Sequence, residues 1–167
     1  GDCPIKAVTY TIESDALGQV SKSFYDKMGR EVRSEDTGFN GNIIVTENNY
    51  NSIGYLIGTT DPYYIGETPR WTTISYDRLG REIVREETGK MVTSKKYYGL
   101  GMQITNPLGQ KRTSYTYANG KVTQTIDNQG NILALSYDAQ GNVIKVRLPT
   151  GDTIVTEYNI LNHNTEL

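Results

Sequence analysis

At 167 residues the chain has room for one ordinary domain, and a hydrophobic content of 36% is thin for a deep core. The formal charge of −2 comes from 17 basic and 19 acidic side chains interspersed along the sequence, so no basic stripe exists to hold nucleic acid or an anionic membrane. No apolar run approaches the roughly 18 residues of a membrane span, and the lone Cys3 allows no internal disulfide. Thirteen tyrosines against two phenylalanines suit half-buried sheet positions, because a tyrosine ring is apolar and its tip is polar.

Read in chain order, the sequence is a degenerate repeat. The pattern Asp/Asn-x-x-Gly falls at Asp15–Gly18, Asp26–Gly29, Asn51–Gly54, Asp77–Gly80, Asn106–Gly109, Asp127–Gly130 and Asp138–Gly141. Tyr25, Tyr50, Tyr76 and Tyr137 stand immediately before their Asp or Asn, and Tyr158–Asn159 opens one more unit without its glycine. Further glycines at Gly41, Gly89, Gly120 and Gly151 fill many of the double-length gaps, giving a unit slightly longer than about ten residues. An Asp or Asn side chain accepts hydrogen bonds from backbone N–H groups just ahead of it, and a glycine three residues on takes the positive φ that closes a tight turn. Between these turns, Thr113–Tyr117, Val122–Ile126, Leu133–Tyr137 and Thr153–Tyr158 carry alternating or β-branched and aromatic residues. The expected fold is all-β, a run of antiparallel β-hairpins forming a curved, twisted strip. Recurring tyrosines are expected to stack in a ladder along one face.

Two stretches depart from the unit. Residues 35–42 read as a shorter hairpin turn. Residues 58–71 hold Pro62, Pro69, Tyr63, Tyr64 and the single Trp71, and read as an extended loop between hairpins. Tyr63, Tyr64 and Trp71 are the candidate binding patch, an aromatic platform for a sugar or a partner protein. The competing reading packs them on a neighbouring hairpin.

The segments Tyr25-Asp-Lys-Met-Gly-Arg30, Tyr76-Asp-Arg-Leu-Gly-Arg81 and Tyr137-Asp-Ala-Gln-Gly-Asn142 resemble the signature of the Rhs/YD-repeat family, with Asn106–Gly109 and Asp127–Asn131 similar to its variants. The resemblance covers roughly residues 8–160, and the stretch leading into Trp71 is similar to the B and C components of bacterial insecticidal toxin complexes. It implies a β-strip that spirals into a hollow shell, enclosing a toxic polypeptide in the bacterial proteins and forming part of an adhesion protein in animal teneurins. No Asp-Pro-x-Gly self-cleavage segment or toxin domain follows the repeats. The chain therefore reads as a single YD-repeat domain over 1–167, an excerpt of a longer repeat protein that is secreted or held at the cell surface. Its expected partners are neighbouring YD repeats of the same or another chain, an encapsulated toxin polypeptide, or carbohydrate.

Catalytic constellations are not evident. His163 is the only histidine and has no Cys or His cluster, and no Gly-x-Ser-x-Gly elbow is present. The doublets Glu35-Asp36 and Glu86-Glu87 point to opposite faces of a strand, so neither makes a glycosidase pair. The Asp-x-x-Gly turns lack calcium-loop spacing, and Gly99-Leu-Gly101 lacks the third glycine of a dinucleotide site. No cofactor, metal or enzymatic activity is expected. The function expected is a structural wall segment, with a cell-surface binding module that presents aromatic loops as the alternative.

Overall fold

The computed structural model describes residues 6–16 and 18–158 and the backbone of Asn164–Thr165; Cys3, Asn159 and His163 lie outside the described residues. The fold is all-β, and no described residue is helical. The chain forms two compact units, 1–92 and 93–167.

In the first unit, strands β1 (Thr9–Ser14), β2 (Val20–Tyr25), β3 (Glu31–Thr37), β4 (Ile43–Tyr50) and β5 (Leu56–Thr60) follow one another as antiparallel neighbours. β6 (Tyr63–Tyr64) pairs with β4, and β7 (Trp71–Tyr76) pairs with both β5 and β8 (Glu82–Glu87). β9 (Met91–Tyr98) begins at the end of this unit. In the second, β9 continues into β10 (Gly101–Thr105), β11 (Lys111–Thr116), β12 (Val122–Ile126), β13 (Ile132–Tyr137), β14 (Val143–Arg147) and β15 (Thr153–Val155), each antiparallel to the next. β16 (Glu157–Tyr158) pairs with β17 (Asn164–Thr165).

The stretch 58–71 differs from the expected loop. Gly58, Thr59 and Thr60 belong to β5, and after a break at Asp61-Pro62 the chain resumes pairing with β4 through Val45↔Tyr63 and Ile44↔Tyr64. Pro62 has no N–H to give the ladder, which interrupts the strand locally; the two tyrosines, good strand formers, then re-enter it. A turn closes with Glu67 N–H donating to the Tyr64 carbonyl, and Asp61 N–H meets the Arg70 carbonyl on the way back. The result is a long hairpin arm.

Burial differs between the units. Phe24, Val32, Val45 and Ile74, the buried hydrophobic side chains among the described residues, all belong to the first. In the second, Thr113 is the buried polar side chain, and both faces of the sheet carry half-buried residues. Sheet stability there rests on cross-strand pairs more than on a core, each pair contributing about 0.2–1 kcal/mol.

Candidate functional site

The turns share one backbone design. Asp26 N–H donates to the Arg30 carbonyl and Gly29 N–H to the Asp26 carbonyl, both at 2.9 Å. The same pair of bonds closes the turns that begin at Asp15, Gly38, Asn51, Asp77, Asn106, Tyr117, Asp127, Asp138 and Leu148. Asp26 Oδ1 accepts from the N–H groups of Met28 and Arg30, and Asn51, Asp77, Asn106 and Asp127 do the same in their turns. Gly29, Gly54, Gly80, Gly109, Gly130 and Gly141 all have positive φ, between 74° and 99°.

What the sequence conceals is that the turns alternate between two edges. In the first unit the turns at 26–30, 51–55 and 77–81 lie on one edge, and in the second those at 117–121 and 138–142 do. These are the turns that carry a tyrosine. Their hairpins are bulged at the strand end, the register shifting at Phe24/Tyr25, Asn49/Tyr50, Ser75/Tyr76, Tyr115/Thr116 and Ser136/Tyr137. The hairpins closed by the opposite-edge turns at 15–19, 38–42, 106–110, 127–131 and 148–152 show no such shift. A bulge adds a residue to one strand and re-aims its side chain. Here it sends the tyrosine back across the sheet.

Tyr50 Oη donates to the Glu31 carbonyl at 3.0 Å, Tyr76 Oη to Leu56 at 2.7 Å, and Tyr137 Oη to Val122 at 2.7 Å. Each acceptor is the first residue of a paired neighbouring strand (β3, β5 and β12), just past the previous turn on the same edge. The residue between that turn's glycine and the acceptor completes the contact. The Arg30 guanidinium lies 4.6 Å from the Tyr50 ring centre, the Tyr55 ring 5.0 Å from that of Tyr76, and Lys121 Nζ 5.1 Å from that of Tyr137. These side chains then reach the next turn itself. Arg30 donates to the Asn51 carbonyl at 3.4 Å and Lys121 to the Gly141 carbonyl at 2.6 Å. A Cβ at Gly80 would collide with the Tyr55 hydroxyl, and one at Gly141 with Lys121 Nζ. Glycine at these two positions thus provides both the backbone angle and the space for the neighbour.

The expected ladder of mutually stacked repeat tyrosines therefore does not form. Among the described residues the aromatic pairs are Tyr10–Phe24, Tyr55–Tyr76 and Tyr117–Tyr137, none of them joining two of Tyr25, Tyr50, Tyr76 and Tyr137. The repeat tyrosines are two strands apart, so the residue after the intervening glycine fills the gap. Arg30, Tyr55 and Lys121 were not assigned this part from sequence; their position directly after a turn glycine was the available signal.

Four turn carboxylates have lowered pKa values. Asp26 is kept below the ordinary aspartate range by its hydrogen bond from the Arg30 side chain, helped by the backbone N–H groups. Asp77 is lowered by the Arg81 N–H and guanidinium, and Asp127 by the Asn131 side chain and N–H. For Asp138 burial pushes upward, but bonds from Asn142 and Gly141 outweigh it and the net direction is down.

Tyr63, Tyr64 and Trp71 do not assemble into one platform. Tyr63 and Tyr64 are consecutive on β6 and face opposite sides. Tyr63 is half-buried and hydrogen-bonded to Glu47, its hydroxyl pKa raised first by burial and then by that bond. Glu47 also meets the Arg33 guanidinium at 3.3 Å, and Arg33 Nε lies 2.9 Å from Glu35 in an ionic contact that is poorly aligned for a hydrogen bond. Trp71 sits further along, half-buried, its six-membered ring over the Cα of Gly58. Among the described residues no group of three His, Cys, Asp or Glu side chains could hold a metal ion, and no helix is long and apolar enough to cross a membrane.

Residues 118–153, which include the Lys121–Tyr137 contact and the turn at 138–142, match the RHS Repeat family model. The match covers 36 of the chain's 167 residues. No curated protein matches the chain. Among solved structures the chain is similar to the crystal structure of TcdB2-TccC3-TEV, with 15% identity over 93% of this chain and a TM-score of 0.65. The crystal structure of TcdB2-TccC3-Cdc42 gives 14% identity over 93% at 0.64, and that of TcdB2-TccC3 without its hypervariable C-terminal region gives 15% over 88% at 0.65. The chain spans 11–12% of the length of those chains. At such identities the likeness is one of fold.

Proposed function

We propose that this chain is a non-catalytic wall segment of a secreted bacterial YD-repeat protein, part of a shell that encloses or scaffolds a toxin polypeptide. The observation that carries the reading is a contact found twice in the first unit and once in the second, in which Arg30, Tyr55 and Lys121 each meet the tyrosine and the turn of the hairpin that follows. Such a device fastens a hairpin to its successor. It builds sheet indefinitely, as a wall requires, and creates no enclosed catalytic pocket. The likeness in fold to the TcdB2-TccC3 structures and the RHS-repeat match support the same reading.

The partners this implies are further YD hairpins. Among the described residues β1 has a hydrogen-bonded neighbour on one side only, and its Tyr10 and Ile12, with Val8 just before it, are exposed. Unpaired strand edges recruit other strands. Size-exclusion chromatography with in-line light scattering and circular dichroism tests the reading. A β spectrum with a defined dimer or larger assembly supports a wall element. A stable β monomer at high concentration counts against it and puts the binding-module reading first.

A further inference from the structure

The charges interspersed along the sequence are sorted by the fold. Residues 1–92 carry ten basic and fourteen acidic side chains, residues 93–167 seven and five. In the second unit β9–β15 bring Lys95, Lys96, Lys111, Arg112, Lys145 and Arg147 and no carboxylate, while Asp127, Asp138 and Asp152 belong to turns. Register then gathers four of these cations on one face. Lys96 pairs with Gln103 and Gln103 with Thr113, two residues from Lys111. Two residues from Thr113, Tyr115 pairs with Gln124, Gln124 with Ala134, and Ala134 with Arg147, itself two residues from Lys145. Lys96, Lys111, Lys145 and Arg147 are all exposed, and among the described residues none is ion-paired with a carboxylate. We propose that this face is a docking surface for an acidic polypeptide segment, a property that does not depend on the shell reading.

The face offers more than charge. Tyr98 and Tyr115 flank Gly101 across β9–β11, and both rings are exposed. A Cβ at Gly101 would stand 2.8 Å from Tyr115 Cε1 and 3.1 Å from Tyr98 Cδ2, so the glycine lets the two rings settle there. Exposed tyrosines beside cations are the composition of a protein-binding surface. Further along, a cleft of about 450 Å³ opens over Gln124, Ile132, Ala134 and Arg147, within the range of about 300–1,000 Å³ that holds ligand groups. Arg147 is the charged side chain of its lining, and no carboxylate lines it. An aspartate or glutamate that enters meets a guanidinium able to hold it with two parallel hydrogen bonds. The turn carboxylates are engaged locally: Asp127 with the N–H groups of Gln129 and Asn131, Asp138 with those of Gly141 and Asn142, and Asp152 with the Thr150 hydroxyl. Neighbouring strands lie about 4.8 Å apart, so Lys96 and Lys111 are separated by about 10 Å and Arg147 lies three strands further. That row is sparse for a nucleic-acid strand, which carries a phosphate about every 3.4 Å, whereas a polypeptide places its carboxylates at any interval.

The full chain is titrated into fluorescein-labelled oligoglutamate and, separately, labelled oligothymidylate, with fluorescence anisotropy as the readout. Saturable binding of oligoglutamate is expected at low salt, weakening severalfold as added salt screens the face. The combined variant Lys96→Gln, Lys145→Gln, Arg147→Gln should weaken it about tenfold or more. The matched variant Lys27→Gln, Arg78→Gln, Lys90→Gln removes the same charge from exposed turns of the first unit and should leave it unchanged. All six positions are exposed, so melting temperatures should stay within a degree or two of the parent and loss of fold does not confuse the result. Absence of oligoglutamate binding, equal weakening in the two triple variants, or tighter binding of oligothymidylate overturns the proposal.

Discussion

The two edges of each unit use the same turn and do different things with it. At Asp127 the turn is self-contained: its carboxylate takes the N–H groups of Gln129 and Asn131 and then the Asn131 side chain, all within five residues. At Asp26 the same local bonds form, at Asp138 the carboxylate takes the N–H groups of Gly141 and Asn142, and the residue after a turn glycine also crosses to the next tyrosine-bearing turn. Links between turns on the opposite edge are slighter, such as Asn128 Oδ1 accepting from Lys111 N–H at 3.0 Å. One edge therefore closes hairpins and the other fastens them together. The difference is made by a bulge and a tyrosine, not by the Asp-x-x-Gly that both edges share.

Glycine substitutions break this comparison most sharply. Gly80→Ala combines an unfavourable positive φ with a collision against Tyr55, whose ring is pinned on Tyr76, and should cost about 2–4 kcal/mol by chemical denaturation. Gly130→Ala on the other edge meets open space, so only the backbone penalty of about 1 kcal/mol applies. Gly141→Ala should fall between them, because Lys121 can swing aside at the loss of its bond to the Gly141 carbonyl. Equal costs at all three would mean that glycine serves the turn alone.

Removing the tyrosine hydroxyls should come next in size. Tyr76→Phe and Tyr137→Phe each delete a 2.7 Å bond to a strand carbonyl and are expected to lose about 0.5–1.5 kcal/mol in the same assay. Tyr64→Phe, exposed on the hairpin arm, should change stability negligibly.

Acid reaches turns on both edges, three on the tyrosine-bearing edge and Asp127 on the other. Asp26, Asp77, Asp127 and Asp138 all have lowered pKa values in the fold. Their contribution is fully present above the unfolded value of about 4 and is lost as pH falls through the lower folded values. Melting temperature should therefore drop with acidification below about pH 4. Replacing the four with Asn, which already serves at Asn51 and Asn106, should flatten that fall. A melt equally acid-sensitive in the substituted chain would place the effect elsewhere.

Much of this was legible from sequence because turn chemistry is local: Asp26 and Gly29 determine their hairpin within a few residues. The two-strand period was not, since Asp-x-x-Gly marks both edges and only the tyrosine distinguishes them. The ladder expectation failed for the same reason. The strand at Tyr63–Tyr64 was hidden by Pro62, a true local signal of interruption that says nothing about pairing resuming after it. Placing Trp71 over Gly58 required the β5–β7 register, in which Gly58 pairs with Thr73 and Thr60 with Trp71.

The most direct test of the fastening edge is a double-mutant cycle on Tyr55 and Tyr76, whose ring centres lie 5.0 Å apart across two successive turns. Denaturant unfolding of the parent chain, Tyr55→Ala, Tyr76→Ala and the double variant isolates the term that belongs to the pair. Successive units fastened through these rings predict a favourable coupling of about 0.5–1.5 kcal/mol. Strict additivity of the two single losses would contradict it, leaving hairpins that adjoin through backbone pairing alone.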